Sequence, residues 1–140
     1  MNTRVIKNAL LGVLLFAGLQ LASAFDGLVI AHESAPITRI SKDELKNIFT
    51  GKTKYWEGGE AIVIIYVDKV ADEVLQSACG MNSSAFKTFW QRLAFSGRAT
   101  PPKKADDVAG AIALVKSTKG AIAVVPGNAA ADGARQITVD

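Results

Sequence analysis

Three short segments of the chain consist almost wholly of apolar residues and do not alternate between apolar and polar side chains. They are Leu28–His32, Ala61–Val67 and Ala121–Val125. Strands that are covered on both faces have this pattern, whereas a strand with one wet face alternates between apolar and polar residues. Gln136–Val139 is mixed in polarity, and we expect it to form an edge strand. The pattern therefore predicts a sheet with a layer on each side.

The segments between these strands have the spacing of amphipathic helices. Ser41 and Glu44 form the S-x-x-E signature of a capping box, which predicts a helix that begins at Ser41. Asn82 or Ser83 is expected to cap a longer helix, and Asp106 a further one. The apolar side chains of the longer helix recur at helical spacing, at Phe86, Phe89, Trp90, Leu93 and Ala94. Alternating strands and helices predict an α/β fold with a mainly parallel sheet flanked by helices and joined by right-handed crossovers.

The first 24 residues have the features of a secretory signal peptide. Arg4 and Lys7 precede the apolar run Ala9–Leu21, and Ala22-Ser23-Ala24 is a small-x-small cleavage site. The apolar run is shorter than the roughly 20 residues of a membrane span. We therefore expect a single domain at residues 25–140, exported to the periplasm and without a membrane span after cleavage. An uncleaved N-terminal anchor is the alternative.

The net charge of the domain is much smaller than that of the whole chain. The 140 residues carry a formal charge of +3 at pH 7. Without Arg4 and Lys7, 14 basic and 13 acidic side chains remain, so the domain is almost neutral. Nucleic-acid-binding domains carry a clustered basic surface, which this sequence does not offer. We therefore expect no nucleic acid among the partners.

The residue types that usually carry catalysis or metals are scarce. The sequence has one cysteine and one histidine, and it lacks the motifs of serine hydrolases, zinc proteases and phosphate-binding loops. We therefore expect no enzymatic activity, no metal and no cofactor. We interpret His32 as a polar residue where a strand meets a loop, with an acid–base pair with Glu33 as the alternative. Cys79 is either a small buried side chain or a thiol that pairs between chains, and Trp56 either anchors its loop or stacks on a ligand.

The helix that follows Ala61–Val67 begins at the best candidate for a binding site. Ligands of open α/β sheets bind beyond the carboxyl ends of the strands, and a helix N-terminus there attracts anions. This turn carries Asp68, Lys69, Asp72 and Glu73. The acidic side chains supply negative charge to the helix themselves, so a self-capped helix without a ligand is the alternative.

Three further segments carry motifs in a characteristic order. They are Ile40–Lys52 with Trp56 and Gly59, Phe89–Gly97 with Pro101 and Pro102, and Lys119–Pro126. In this order they resemble the periplasmic phosphate-binding proteins of ABC transporters, and in particular short relatives of that family. In full-length members this region forms one lobe of a two-lobed type-2 periplasmic binding fold, with the ligand between the lobes. The resemblance therefore implies a single periplasmic-binding-protein-like lobe.

The same resemblance implies ligand-binding residues at Ser41, Asp68 and Lys69. The phosphate loop of the family is an Arg followed by Ser-Gly-Thr, or by Gly-Ser in short members. Lys69 falls near the position of the Arg, whereas Asp72 or Glu73 falls where Gly or Ser is expected. These differences predict that phosphate binding is weak.

The sequence therefore predicts a periplasmic domain of the phosphate ABC transporter substrate-binding family that binds phosphate or another small oxyanion weakly. The alternative is a ligand-free interaction module that docks to an envelope or transporter protein.

Overall fold

The computed structural model describes Phe25 and residues 27–140. The predicted signal peptide, residues 1–24, lies outside the described residues. The elements in chain order are β1 (Leu28–Ala31), β2 (Arg39–Ile40), α1 (Lys42–Phe49), β3 (Val63–Val67), a 3₁₀ turn (Asp68–Val70), α2 (Ala71–Cys79), α3 (Ser83–Phe95), β4 (Lys103–Ala105), α4 (Val108–Ser117), β5 (Ala121–Val125) and β6 (Arg135–Val139).

All the strands join one sheet in the order β2-β6-β1-β5-β3-β4. β1 is antiparallel to both of its neighbours, β5 and β6, while the other three pairings are parallel. Five strands therefore run in one direction and only β1 runs against them. The predicted α/β fold with a mainly parallel sheet is confirmed.

The buried strands divide their side chains between two apolar layers. Ile122 and Val124 of β5 face the layer that includes buried residues of α1, α2 and α3. Ala121, Ala123 and Val125 of the same strand face the layer formed with α4. Because both faces are covered, β5 needs apolar residues at every position, and all five of its residues are buried.

The helix caps are mostly where the sequence places them. Ser41 and Glu44 form the predicted capping box at α1. The side chain of Asn82 caps α3 by accepting a hydrogen bond from the Ala85 amide. The prediction for α4 is wrong by one residue, because Asp107 rather than Asp106 accepts from the Gly110 amide, at 2.7 Å.

Three strand predictions need correction. β6 is not an edge strand, since it lies between β2 and β1. The sequence pattern predicts neither β2 nor β4. β2 and β4 contain only two and three residues, so they are held by pairing with β6 and β3 rather than by a pattern of their own.

Two buried tryptophans form hydrogen bonds between distant segments of the fold. Trp56 is buried, and its Nε1 donates a hydrogen bond to the carbonyl oxygen of Gly120 at 3.1 Å, which confirms the loop-anchoring interpretation. Trp90 of α3 is also buried and donates through Nε1 to the carbonyl oxygen of Phe49 at 3.1 Å. Both bonds join segments that are far apart in the sequence.

Candidate functional site

One edge of the sheet collects the carboxyl ends of five strands. β2, β3, β4, β5 and β6 point the same way, so the residues that follow them lie along a common edge. Ser41 follows β2, Asp68 follows β3, and Asp140 follows β6. Ligands of sheets with this topology bind beyond such an edge. The sequence-predicted residues Ser41, Asp68 and Lys69 therefore lie along the same edge of the sheet.

The strand order separates Ser41 from Asp68 and Lys69. β2 and β3 lie four positions apart in the sheet, so Ser41 is roughly 19 Å from Asp68 at a strand spacing of about 4.8 Å. The Ser41 hydroxyl is also engaged in the α1 capping box. It accepts from the Glu44 amide at 3.1 Å and donates to Glu44 Oε2 at 2.9 Å. The structure thus brings Asp68 and Lys69 together, but not Ser41 with them.

The start of α2 differs from the starts of the other α-helices in the described part of the chain. α1, α3 and α4 each begin with a side chain that caps the helix, whereas no side chain caps α2. The 3₁₀ turn Asp68–Val70, which links β3 to α2, also lacks a side-chain cap. Uncapped amides at a helix N-terminus attract anions because the N–H groups and the helix dipole act together.

Asp68 forms an ion pair with Lys87, which comes from α3. The hydrogen bond from Lys87 lowers the pKa of Asp68, and the charges of Lys87 and Lys104 lower it further. The same hydrogen bond raises the pKa of Lys87. Lys87 and Lys104 thus place two ammonium groups near Asp68, and Lys69 follows Asp68 in the 3₁₀ turn.

A second carboxylate at this place is already hydrogen-bonded. Asp72, in the first turn of α2, accepts from the backbone amide of Ser83 at 2.8 Å. This bond lowers the pKa of Asp72. The first amide of α3 therefore has a carboxylate partner within the chain. Together with Asp68 and Glu73, Asp72 balances the charge of the three lysines.

Sequence reasoning missed Lys87 and Lys104 as members of this site. The helical pattern puts Lys87 on the outer face of its helix, but it does not say which residue that face meets. Lys104 follows Pro101 and Pro102 in a segment for which the sequence pattern predicts no strand. Both reach Asp68 only because α3 and β4 pack beside the end of β3.

His32 lies at the opposite edge of the sheet, since β1 runs against the other strands. It is buried, with 9% of its surface exposed. Its Nδ1 lies 2.8 Å from Ser34 Oγ, and that hydroxyl donates to Glu60 Oε1 at 3.1 Å. The imidazole therefore pairs with Ser34 rather than with Glu33, and the Ser34 hydroxyl donates its hydrogen to the carboxylate of Glu60.

Cys79 is buried, and its thiol lies 3.3 Å from the carbonyl oxygen of Leu75. Burial raises the pKa of this thiol. The interpretation of Cys79 as a small buried side chain is confirmed.

The described residues contain no group of three or more His, Cys, Asp and Glu side chains arranged to hold a metal ion. No helix among them has the length and hydropathy to cross a bilayer.

By sequence, the chain matches no protein family and no curated protein. Solved structures do match its fold. One is a protein from Clostridium perfringens that is assigned as a phosphate ABC transporter substrate-binding protein and holds bound phosphate. It aligns with a TM-score of 0.54 and 22% identity over 82% of this chain and 45% of that protein. An ABC-type phosphate transport receptor from Vibrio cholerae aligns with a TM-score of 0.54 and 16% identity over 83% of this chain and 47% of the receptor. PstS from Borrelia burgdorferi aligns with a TM-score of 0.56 and 14% identity over 82% of this chain and 47% of PstS.

These similarities show a periplasmic-binding-protein fold, as the sequence motifs implied. The chain spans just under half of the length of each of these proteins.

Proposed function

We propose that residues 25–140 form a solute-binding-protein-like lobe that binds phosphate or another small oxyanion weakly at the start of α2. The observation that carries this proposal is the uncapped start of α2 at the carboxyl end of β3. Lys69, Lys87 and Lys104 add positive charge there. The fold is shared with a phosphate ABC transporter substrate-binding protein that holds bound phosphate and with a phosphate transport receptor.

Two features make the binding weak. Asp68 already pairs with Lys87, and Asp72 already accepts from the Ser83 amide, so an incoming anion competes with carboxylates of the chain. A single lobe also presents one face, whereas a buried anion needs donors on several sides to replace its water. We expect a Kd for phosphate of about 1 mM or weaker.

Titration calorimetry with inorganic phosphate tests this proposal. The informative variant is Asp68→Asn, which removes one of the two competing carboxylates and leaves Lys69, Lys87 and Lys104 in place. It should bind phosphate about fivefold more tightly than wild type, the effect of one exposed charge pair. Asp43→Asn is the matched control, because Asp43 is also an exposed acid in a first helical turn, at α1. It should bind phosphate as wild type does.

Two results would count against weak oxyanion binding. A micromolar Kd for the wild type would show that Asp68 and Asp72 do not compete with phosphate. No binding by either wild type or Asp68→Asn would favour the alternative, a ligand-free module that docks to an envelope or transporter protein. That alternative is supported by Asp68 and Asp72, because these carboxylates already pair with groups that an anion would contact.

The proposed location is the periplasm, reached through cleavage of residues 1–24. Expression of the full sequence in a Gram-negative host should yield a periplasmic protein whose intact mass corresponds to a start at Phe25. Recovery of the uncleaved chain from the membrane fraction would contradict both the cleavage and the location.

A further inference from the structure

The small net charge of the domain results from an uneven distribution of charge along the chain. No acidic residue occurs between Glu44 and Glu57, and none occurs between Glu73 and Asp106. The first of these segments contains three basic residues and the second contains five. Long stretches with charge of one sign are typical of interaction surfaces. Contrary to the expectation from its net charge, the domain therefore has a basic region.

The fold joins the two acid-free segments at one place. Lys54 Nζ, from the first segment, donates a hydrogen bond to the carbonyl oxygen of Arg98, in the second. Lys54, Arg98 and Lys103 line a cavity of about 390 Å³, and none of the described residues that line it is acidic. Lys52 lies between two further lining residues. We call the surface formed by Lys52, Lys54, Arg98 and Lys103 the basic tip.

Neighbouring acids do not cancel this charge. The acids that the fold places beside the two segments are Asp68 and Asp72, at the start of α2, and Glu57 and Glu60, in the turn before β3. If all four are counted, they balance only half of the eight basic side chains. The last turns of α1 and α3 add about half a negative charge each, which leaves the region positive. None of the four cations of the basic tip forms an ion pair with a described acid.

Two exposed aromatic side chains flank the basic tip. Among the described residues, Phe95 and Tyr55 are the large apolar side chains that remain exposed, at 93% and 62%. Tyr55 lines the same cavity as Lys54. Phe95 lies three residues before Arg98, across the turn that ends α3. A ring that lies flat on a protein has one face covered, so an exposure of 93% shows that the fold supports neither face of Phe95.

We propose that the basic tip is a docking surface for an anionic lipid membrane. Phe95 and Tyr55 enter the interfacial layer of the bilayer, and the four cations of the basic tip lie against the lipid phosphates. Aromatic rings are favoured in this layer. Each lysine or arginine close to an anionic leaflet strengthens binding by about fivefold.

The projecting ring favours lipid over the other partners that a basic surface attracts. Single-stranded nucleic acid stacks its bases on rings that form the floor of a groove, whereas lipid surrounds a ring on both faces. A protein partner needs a pocket matched to each ring, whereas acyl chains adapt to a ring at any position. Two copies of this chain that met tip to tip would repel each other, because like charges would come into contact.

Co-sedimentation of residues 25–140 with lipid vesicles tests the proposal. These residues contain every described helix and strand and both apolar layers, and they lack the apolar run Ala9–Leu21, which would itself enter a bilayer. With about 30% phosphatidylglycerol in phosphatidylcholine, we expect binding at about 0.1 M salt that weakens at least fivefold at about 0.5 M salt. Vesicles of phosphatidylcholine alone should bind at least tenfold more weakly.

Four variants locate the contact. Arg98→Gln and Lys103→Gln should each weaken binding to the anionic vesicles by about fivefold. Phe95→Ser should weaken it by a similar factor, whereas Phe95→Leu keeps an apolar side chain and should retain most of the binding. Lys69→Gln is the matched charge control, because Lys69 is exposed but lies at the other end of β3, and it should bind as wild type does. All the substituted side chains are exposed, so the variants should fold, which thermal melts verify.

Four results would overturn the proposal. The first is equal binding, or no binding, to vesicles with and without phosphatidylglycerol. The second is an equal loss in Lys69→Gln and Arg98→Gln, which would assign the lipid phosphates to the start of α2. The third is tighter binding to single-stranded DNA than to the anionic vesicles. The fourth is a wild-type dimer in sedimentation that Phe95→Ser dissociates. None of these results depends on whether the domain binds free phosphate, so the oxyanion proposal is tested separately.

Discussion

Replacing Trp90 by Ala should remove a large share of the folding stability. Trp90 is 5% exposed, and its ring meets those of Phe86 and Phe89 at centroid distances of 6.3 and 6.0 Å. Its Nε1 is the partner of the Phe49 carbonyl, the last residue of α1. The side chain therefore joins α3 to α1 by both packing and a hydrogen bond.

The size of the effect follows from these two contributions. Truncating a buried tryptophan to alanine costs about 3–5 kcal/mol. Within that total, leaving the buried Phe49 carbonyl without its donor accounts for about 1–3 kcal/mol. The conservative change Trp90→Phe keeps much of the ring and loses the donor, so it should cost the smaller amount. The free energy of unfolding of a domain of this size is about 5–15 kcal/mol. If the wild type lies at the lower end of that range, Trp90→Ala removes most of its stability.

Urea melts followed by circular dichroism measure the difference. With an m-value of about 2 kcal/mol per molar urea, Trp90→Ala should lower the midpoint by about 2 M. Phe95→Ala is the control on the same helix, and because Phe95 is 93% exposed its midpoint should match wild type. Equal midpoints for Trp90→Ala and Phe95→Ala would refute the packing of α3 described above.

Three further outcomes can be checked with purified protein. Gly120→Ala should destabilise the fold by at least about 2 kcal/mol in urea melts, because Gly120 has a φ of +80° and a Cβ there would lie 2.1 Å from the Ala61 carbonyl oxygen. Folding stability should fall as the pH drops below about 4. A backbone hydrogen bond lowers the pKa of Asp72, so the folded state favours its ionised form. A urea midpoint that stays constant from pH 7 to pH 3 would contradict this. Cys79 should react with a thiol reagent at pH 8 only after urea unfolds the domain, because burial both blocks the thiol and raises its pKa; rapid reaction of the folded protein would contradict its burial.

The sequence pattern predicts those elements whose own residues determine them. β3 and β5 are apolar throughout because both sheet faces are covered, and this is visible in the residues alone. The capping box of α1 is equally local, since Ser41 and Glu44 satisfy each other. Short strands such as β2 have no such pattern. They form because a neighbouring strand offers free backbone groups.

The composition of the candidate site depends on strand order, which the local pattern does not encode. Ser41 and Asp68 both follow parallel strands, but the insertion of β6, β1 and β5 between those strands separates them. Lys87 and Lys104 come from elements remote in the sequence, and they meet Asp68 only in the folded chain. The motif-based comparison therefore predicted the fold, which is confirmed, but it did not point to Lys87 and Lys104 as neighbours of Asp68.

We propose that the start of α2 binds a small oxyanion weakly and in competition with the chain's own carboxylates. A phosphate titration of the ¹⁵N-labelled domain, followed amide by amide by NMR, tests it most directly. We expect shifts concentrated at the amides of residues 69–73 that saturate only at phosphate concentrations of about 1 mM or more, with the Ser41 amide unmoved. Saturation at micromolar phosphate, shifts centred on Ser41, or an unchanged spectrum throughout would contradict the account.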